Sequence, residues 1–336
     1  MKAAVFDGNK VKLKEVNKPS LKKAQVLIKV KAAGICGTDV AIVRGWYEVS
    51  PPLILGHEFA GKVVEVGDNI DQSWLGKRVT AEINTNIDFN CYYCKKEIFT
   101  QCLNRKAVGI DVDGAFAEYI AVNEYLVHEI PDNLSYKEAT FIEPLAAAYQ
   151  TFELMPIEKN DTTIAIFGLG KLGLLIAQVA NLKDLHLIVV DGSDKKLELA
   201  KSFGADYTIN RLKTKNISER IKDYTDGIGA DIVVDATGNE KALKDITASC
   251  RTRGKIHIKS THGLEVPLNI TDIVVREITI YTSRCGPFEK AIKGLHSGEI
   301  EVKSLISVEY NLKEIETAFE LYGKNRDQIK TIINIE

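Results

Sequence analysis

A run of β-branched and apolar residues, Thr163–Phe167 (TIAIF), leads directly into Gly168-Leu169-Gly170-Lys171-Leu172-Gly173 and then into an apolar stretch ending at Asn181. Strand, glycine turn and helix in that order leave few folds open. The first glycine permits the tight turn, the second lets backbone approach a phosphate closely, and the third lets helix and strand pack tightly. Downstream the rhythm repeats: strand His186–Val190, helix Lys195–Phe203, strand Tyr207–Ile209, helix Ile217–Tyr224 and strand Asp231–Asp235. Further strands are expected at Lys255–Ile258 and Ile278–Thr282. This alternation predicts an α/β domain, a doubly wound parallel sheet with helices on both faces. The helix Lys171–Asn181 would point its free N–H groups and the positive end of its dipole at a pyrophosphate. Asp191 ends the next strand, where a carboxylate accepts hydrogen bonds from both ribose hydroxyls and repels a 2′-phosphate. That reading is NAD rather than NADP; the alternative is that Asp191 only caps the next helix.

The first third reads differently. Met1–Phe6, Val11–Val16, Val26–Ala33, Lys62–Val66, Arg78–Glu82 and Ala117–Val122 are short strand-like runs, with a hairpin turn at Asp7-Gly8. Their length and irregular spacing suggest a barrel-like β domain. At 336 residues two cores are affordable. A net charge of −2 without a Lys/Arg cluster speaks against nucleic acid or an anionic membrane as partner. The start MKAAVFDG reads as strand and turn rather than signal peptide, and no apolar run reaches about 18 residues. A cytoplasmic protein with reduced thiols is expected.

Three separated segments each supply metal donors: Cys36 in GICGTD, His57 and Glu58 in GHEFAG, and Glu143 in IEPL. A thiolate, an imidazole and one or two carboxylates suit a catalytic zinc, which keeps a position open, better than a closed structural site. A second group, Asp88-x2-Cys91-x2-Cys94-x7-Cys102, has the spacing of a structural zinc lobe with a carboxylate in first place. It either binds zinc less tightly than four thiolates would or is a lobe with three free thiols.

On Gly56-His57-Glu58, Gly61, Gly67 and Ile70, together with the glycine turn, the chain resembles the zinc-dependent medium-chain dehydrogenase/reductases. These include alcohol, polyol and threonine dehydrogenases. The resemblance implies a Rossmann domain inserted in a chaperonin-10-like β-barrel catalytic domain. On that basis the catalytic domain takes residues 1–145 plus 285–336 and the NAD-binding domain residues 146–284. It implies NAD, with Lys196 also reaching the ribose, and two zinc ions per subunit, one catalytic and one structural. Asp39 would hydrogen-bond the metal-bound His57 and Thr38 would pass the substrate proton outward, while hydride goes to the nicotinamide. Glu58 and Glu143 both remain open as the carboxylate ligand, and an exchange of the two during turnover is a further expectation. Ala41 stands where some relatives carry a histidine, so the proton leaves by another route, and threonine is disfavoured as substrate; His262 is either a substitute relay or, the reading preferred, an ordinary loop residue. The expected activity is oxidation of a secondary alcohol, polyol or sugar, to the ketone or lactone. Alternatives are a threonine or simple alcohol dehydrogenase and a non-catalytic NAD-binding protein. A homodimer or homotetramer is expected, paired through the edge strand at Glu277–Thr282.

Overall fold

The computed structural model describes residues 1–261, 263 and 265–336, which leaves His262 outside the described residues. The chain forms two compact units. One comprises Met1–Glu143, Phe288–Lys324 and Lys330–Glu336; the other comprises Pro144–Pro287 and Asn325–Ile329.

In the first unit, Lys2–Phe6 and Val11–Glu15 form the hairpin, antiparallel across Asp7 and Gly8. The strand Gln25–Gly34 is the organising element. Its first half pairs with Tyr119–Asn123, its whole length with Glu58–Val66, and its last residues with Lys330–Asn334. Strand Glu58–Val66 begins four residues before the expected Lys62 and so takes in the end of the metal motif. The outer members are Arg78–Ala81, Val127–Glu129 and Ile306–Asn311. The strand at 306–311 was not foreseen, because its exposed and half-buried residues lack an apolar run.

In the second unit, the order across the sheet is Tyr207–Asn210, His186–Asp191, Thr163–Phe167, Ala230–Asp235, Cys250–Ile258 and Thr279–Thr282, every pairing parallel. This is the doubly wound arrangement in which ligands bind beyond the carboxyl ends of the strands. Ile188, Val190, Ala165, Phe167 and Val233 form its core with Ile217, Ile221 and Ile246 from the covering helices. Two short helices, Leu243–Ser249 and Ile270–Val275, were not marked by apolar periodicity. Among the described residues no helix is long and apolar enough to cross a membrane.

The glycine turn is held as its sequence dictates. Gly168 has φ +89°, and its N–H donates to Val190 O at 2.8 Å. Gly173 lies so close to the turn that a Cβ there would overlap the carbonyl oxygen of Gly168. Gly173→Ala must therefore shift backbone, and we expect a loss of about 1–3 kcal/mol. A thermal midpoint equal to that of the parent chain would show that the close packing is dispensable.

Candidate active site

Strand register builds the first cluster. Gly34 pairs with Glu58, so Cys36, two residues past Gly34, and His57, one before Glu58, emerge at the same end of two neighbouring strands. Cys36 is not on a plain loop, as its surroundings in the sequence suggest, but at the N-cap of the helix Gly37–Val43. The helix was missed because GTDVAIV is short and opens with glycine. Its first turn carries Thr38, whose Oγ1 lies 3.8 Å from Cys36 Sγ, and the buried Asp39. Asp39 fixes the cluster by accepting from Cys36 N at 2.8 Å and from Gly56 N at 3.2 Å. The donor atoms of Cys36, His57 and Glu58 all lie within 4.8 Å of one another. Glu143, in the first turn of the helix Ile142–Leu154, lies outside that trio but close enough to act on His57 electrostatically.

The field at His57 is strongly negative. Burial pulls its pKa down, yet Asp39, Cys36 and Glu143 outweigh burial and raise it to about 10. Its Nδ1 is buried without a hydrogen-bond partner, 3.7 Å from Asp39 Oδ1. Glu58 is fully buried and ion-pairs with Lys330 Nζ, which is also fully buried. Lys330 opens the strand Lys330–Asn334, whose Ile332 pairs with Gly34. Its side chain crosses the face of Gly34, where a Cβ would collide with it, and its Nζ lies 5.3 Å from the Phe141 ring centroid. Sequence reading missed Lys330. The signal was a lone lysine entering an apolar strand opposite a strand carrying a buried glutamate.

The second cluster gathers Asp88, Cys91, Cys94 and Cys102, again within 4.8 Å. Cys91 and Cys94 Sγ are 3.5 Å apart. Burial, then the neighbouring thiols, push Cys94 up to about 12. Asp88 is held well below the usual carboxylate range by the backbone N–H groups of Asn90 and Cys91. Oδ1 accepts from both, Oδ2 accepts from Asn104 Nδ2 at 2.8 Å, and the Cys94 thiol also bonds this carboxylate. A carboxylate has about four lone-pair sites, so the one that the Cys94 thiol holds opens to a metal when that thiol ionises.

In the second unit a cavity of about 390 Å³ opens beside the glycine turn, lined by Gly168, Asp191, Lys196, Arg211, Thr237 and Arg326 among others. Asp191 Oδ2 accepts from Leu169 N at 2.7 Å and Oδ1 from Ser193 N at 2.9 Å. Lys196 is only 8% exposed, and its pKa is lowered by burial against the opposing pull of Asp191 and Asp327. Leu169, Lys171 and Leu172 complete the turn and the start of its helix, with Gly170 at the N-cap. Arg211 and Arg326 were not foreseen, since neither belongs to a motif.

The family description "Alcohol dehydrogenase GroES-like domain" matches residues 22–132, and "Zinc-binding dehydrogenase" matches residues 172–297. A sorbitol dehydrogenase of Halalkalibacterium halodurans is 32% identical over 96% of this chain and 94% of its own length. A D-arabitol-phosphate dehydrogenase of Enterococcus avium is 34% identical over 95% and 92%. A solved short chain alcohol dehydrogenase from E. coli CFT073, complexed with NADH, superposes with a TM-score of 0.90 at 28% identity, covering 100% of this chain and 99% of that one. The chain belongs to the zinc-dependent medium-chain dehydrogenases. Its first unit is the GroES-like domain of that family and its second the Rossmann domain.

Both donor sets fit the zinc of this family. A buried imidazole, a thiol and a buried carboxylate with donor atoms within 4.8 Å of one another make the first a site for a divalent cation. The second offers three sulfurs and one carboxylate. Two outcomes follow. Lys330→Met leaves Glu58 buried without its partner, and we expect a loss of about 3–5 kcal/mol. Combining it with Glu58→Gln should recover part of that loss in a denaturant titration, and no recovery would disprove the pairing. Separately, Cys94→Ser should lower thermal midpoint and zinc content per subunit together. Unchanged zinc content would remove the lobe as a metal site.

Proposed function

We propose that this chain oxidises a secondary alcohol, most closely a polyol or sugar, to the ketone or lactone with NAD as hydride acceptor. The observation that carries this reading is the juxtaposition of donor atoms of Cys36, His57 and Glu58 within 4.8 Å of one another. Zinc bound there would supply a Lewis acid that makes a substrate hydroxyl acidic near neutral pH. Cys36 and His57 are the proposed protein ligands. Asp39 holds the loop through the Cys36 and Gly56 amides and faces His57, setting the ring's orientation. Lys330 holds Glu58 back by ion pairing, which favours Glu143 as the carboxylate nearer the substrate. Thr38, half-buried beside Cys36, is the hydroxyl placed to accept the substrate proton and hand it on.

The nucleotide is proposed to lie along Gly168–Gly173, with its pyrophosphate at the N-terminus of the helix Lys171–Asn181 and its adenosine ribose at Asp191 and Lys196. The polyol assignment is supported by the sorbitol and arabitol-phosphate dehydrogenases among the relatives. Threonine dehydrogenases of Pyrococcus are also 33–34% identical, but Ala41, buried in the helix Gly37–Val43, replaces the histidine that would serve there. We further infer a homodimer or homotetramer paired through Thr279–Thr282. This last strand of the six is exposed except at the half-buried Tyr281, and Val274 and Val275 in the preceding helix are 67% and 74% exposed.

The reading is tested by following NADH formation from zinc-loaded protein offered polyols, aldoses, simple alcohols and threonine. Polyol or sugar turnover that is lost in Cys36→Ser is the expected result. Turnover of threonine alone would replace the substrate class. Silence across the panel with NAD bound would overturn the assignment.

A further inference from the structure

The pocket at Asp191 carries more positive charge than a ribose needs. Its lining includes four cationic side chains, Lys196, Arg211, Lys241 and Arg326, against two carboxylates, Asp191 and Asp245. Arg211, Lys241 and Arg326 have no carboxylate within ion-pairing distance among the described residues. Cations nearby are otherwise paired: Lys213 with Asp194, Arg220 with Asp223 and Lys222 with Glu219. The remaining acids offer the pocket little. Asp194 is bound by Lys213 and Asn210, and Asp327 accepts from Ser193 Oγ at 2.6 Å. Both oxygens of Asp191 already accept a backbone N–H, and the nearly buried Lys196 offsets its charge.

Arg211 is placed by the sheet. It follows the strand Tyr207–Asn210, and its N–H donates to the carbonyl of Asp191 at 2.9 Å. Its guanidinium folds back over Gly192, with Nε 3.3 Å from where a Cβ would stand. A side chain at 192 would press on the guanidinium, so glycine there leaves the cation room where it lies. The strand before Arg211 is two places from Thr163–Phe167 in the sheet, so Arg211 lies about 10 Å from the glycine turn. That distance separates it from the pyrophosphate, which the helix N-terminus already serves.

We propose that this pocket accepts a 2′-phosphate as well as a free ribose, so that the chain binds NADP(H) alongside NAD(H), with Arg211 as the phosphate's principal partner. Lys241 and Arg326 complete the cationic rim, and an arginine fork suits a phosphate's geometry. The inference rests on the dinucleotide reading above but asks more of it, since Asp191 alone would exclude the phosphate.

Binding of NADH and NADPH is measured by nucleotide fluorescence on the zinc-loaded parent chain and on Arg211→Ala, Arg211→Lys and Gly192→Val. Parent affinity for NADPH is expected within about tenfold of that for NADH, and to fall more steeply with salt. Arg211→Ala should weaken NADPH by about tenfold or more, the loss typical of a charged hydrogen bond, while NADH changes by less than about threefold. Arg211→Lys should restore part of the loss, and Gly192→Val should act like Arg211→Ala. Because Arg211 is exposed and unpaired, its variants should melt with the parent chain. NADPH binding more than about a hundredfold weaker than NADH, or equal losses for both nucleotides in Arg211→Ala, overturns the proposal. Failure of NADH itself to bind would instead remove the dinucleotide reading, and this inference with it.

Discussion

The ion pair between Lys330 and Glu58 is the constraint on which the first unit's site depends. Both side chains are fully buried, and they come from strands that flank Gln25–Gly34 on either side. An ammonium and a carboxylate without water cost several kcal/mol each unless they meet in good geometry. Their meeting is possible because Gly34, the residue between them, has no side chain. The pair therefore ties three adjacent strands at the end from which Cys36 and His57 emerge. It also decides what Glu58 can do: a carboxylate held by a buried lysine is a fixed negative charge in the wall before it is a metal ligand.

The two metal clusters obey different logic. Around His57 the fully buried Asp39, with the half-buried Cys36 and Glu143, raises the imidazole's pKa against its own burial. Such a site prefers any compact cation. At the lobe, selectivity comes from softness instead, with three sulfurs and one carboxylate. The Asn90 and Cys91 amides occupy one oxygen of Asp88. Those hydrogen bonds keep the carboxylate ionised and oriented, so an oxygen ligand costs the lobe less than its hardness suggests.

Local patterns exposed the Rossmann sheet in the sequence. Thr163–Phe167 and Lys171–Asn181 occupy the residues expected, and their neighbours differ by a residue or two at the ends. A buried parallel strand is an apolar run and its covering helix an apolar stripe, so each announces itself without its partners. The residues that tune the sites could not be read this way. Lys330 matters because of a register that brings it past Gly34, and Arg326 because the segment Asn325–Ile329 packs with the second unit. Neither has a local signature. The helix at Gly37–Val43 was hidden for a related reason: its capping residues, Cys36 and Asp39, are also the residues chemistry would claim.

The same sheet logic accounts for the cationic pocket. In a parallel sheet all carboxyl ends gather on one edge, so residues just beyond neighbouring strands become neighbours whatever their separation in sequence. Asp191 and Arg211 follow from this, being linked by the hydrogen bond that continues the pairing of Asp191 with Asn210. One end of the proposed dinucleotide site thus brings a carboxylate and a guanidinium into one pocket. Each oxygen of the carboxylate accepts one backbone amide, whereas among the described residues no side-chain hydrogen bond or ion pair holds the guanidinium. On the reading proposed above, the carboxylate's remaining lone pairs serve a ribose hydroxyl and the unpaired guanidinium serves a phosphate, so the pocket takes either.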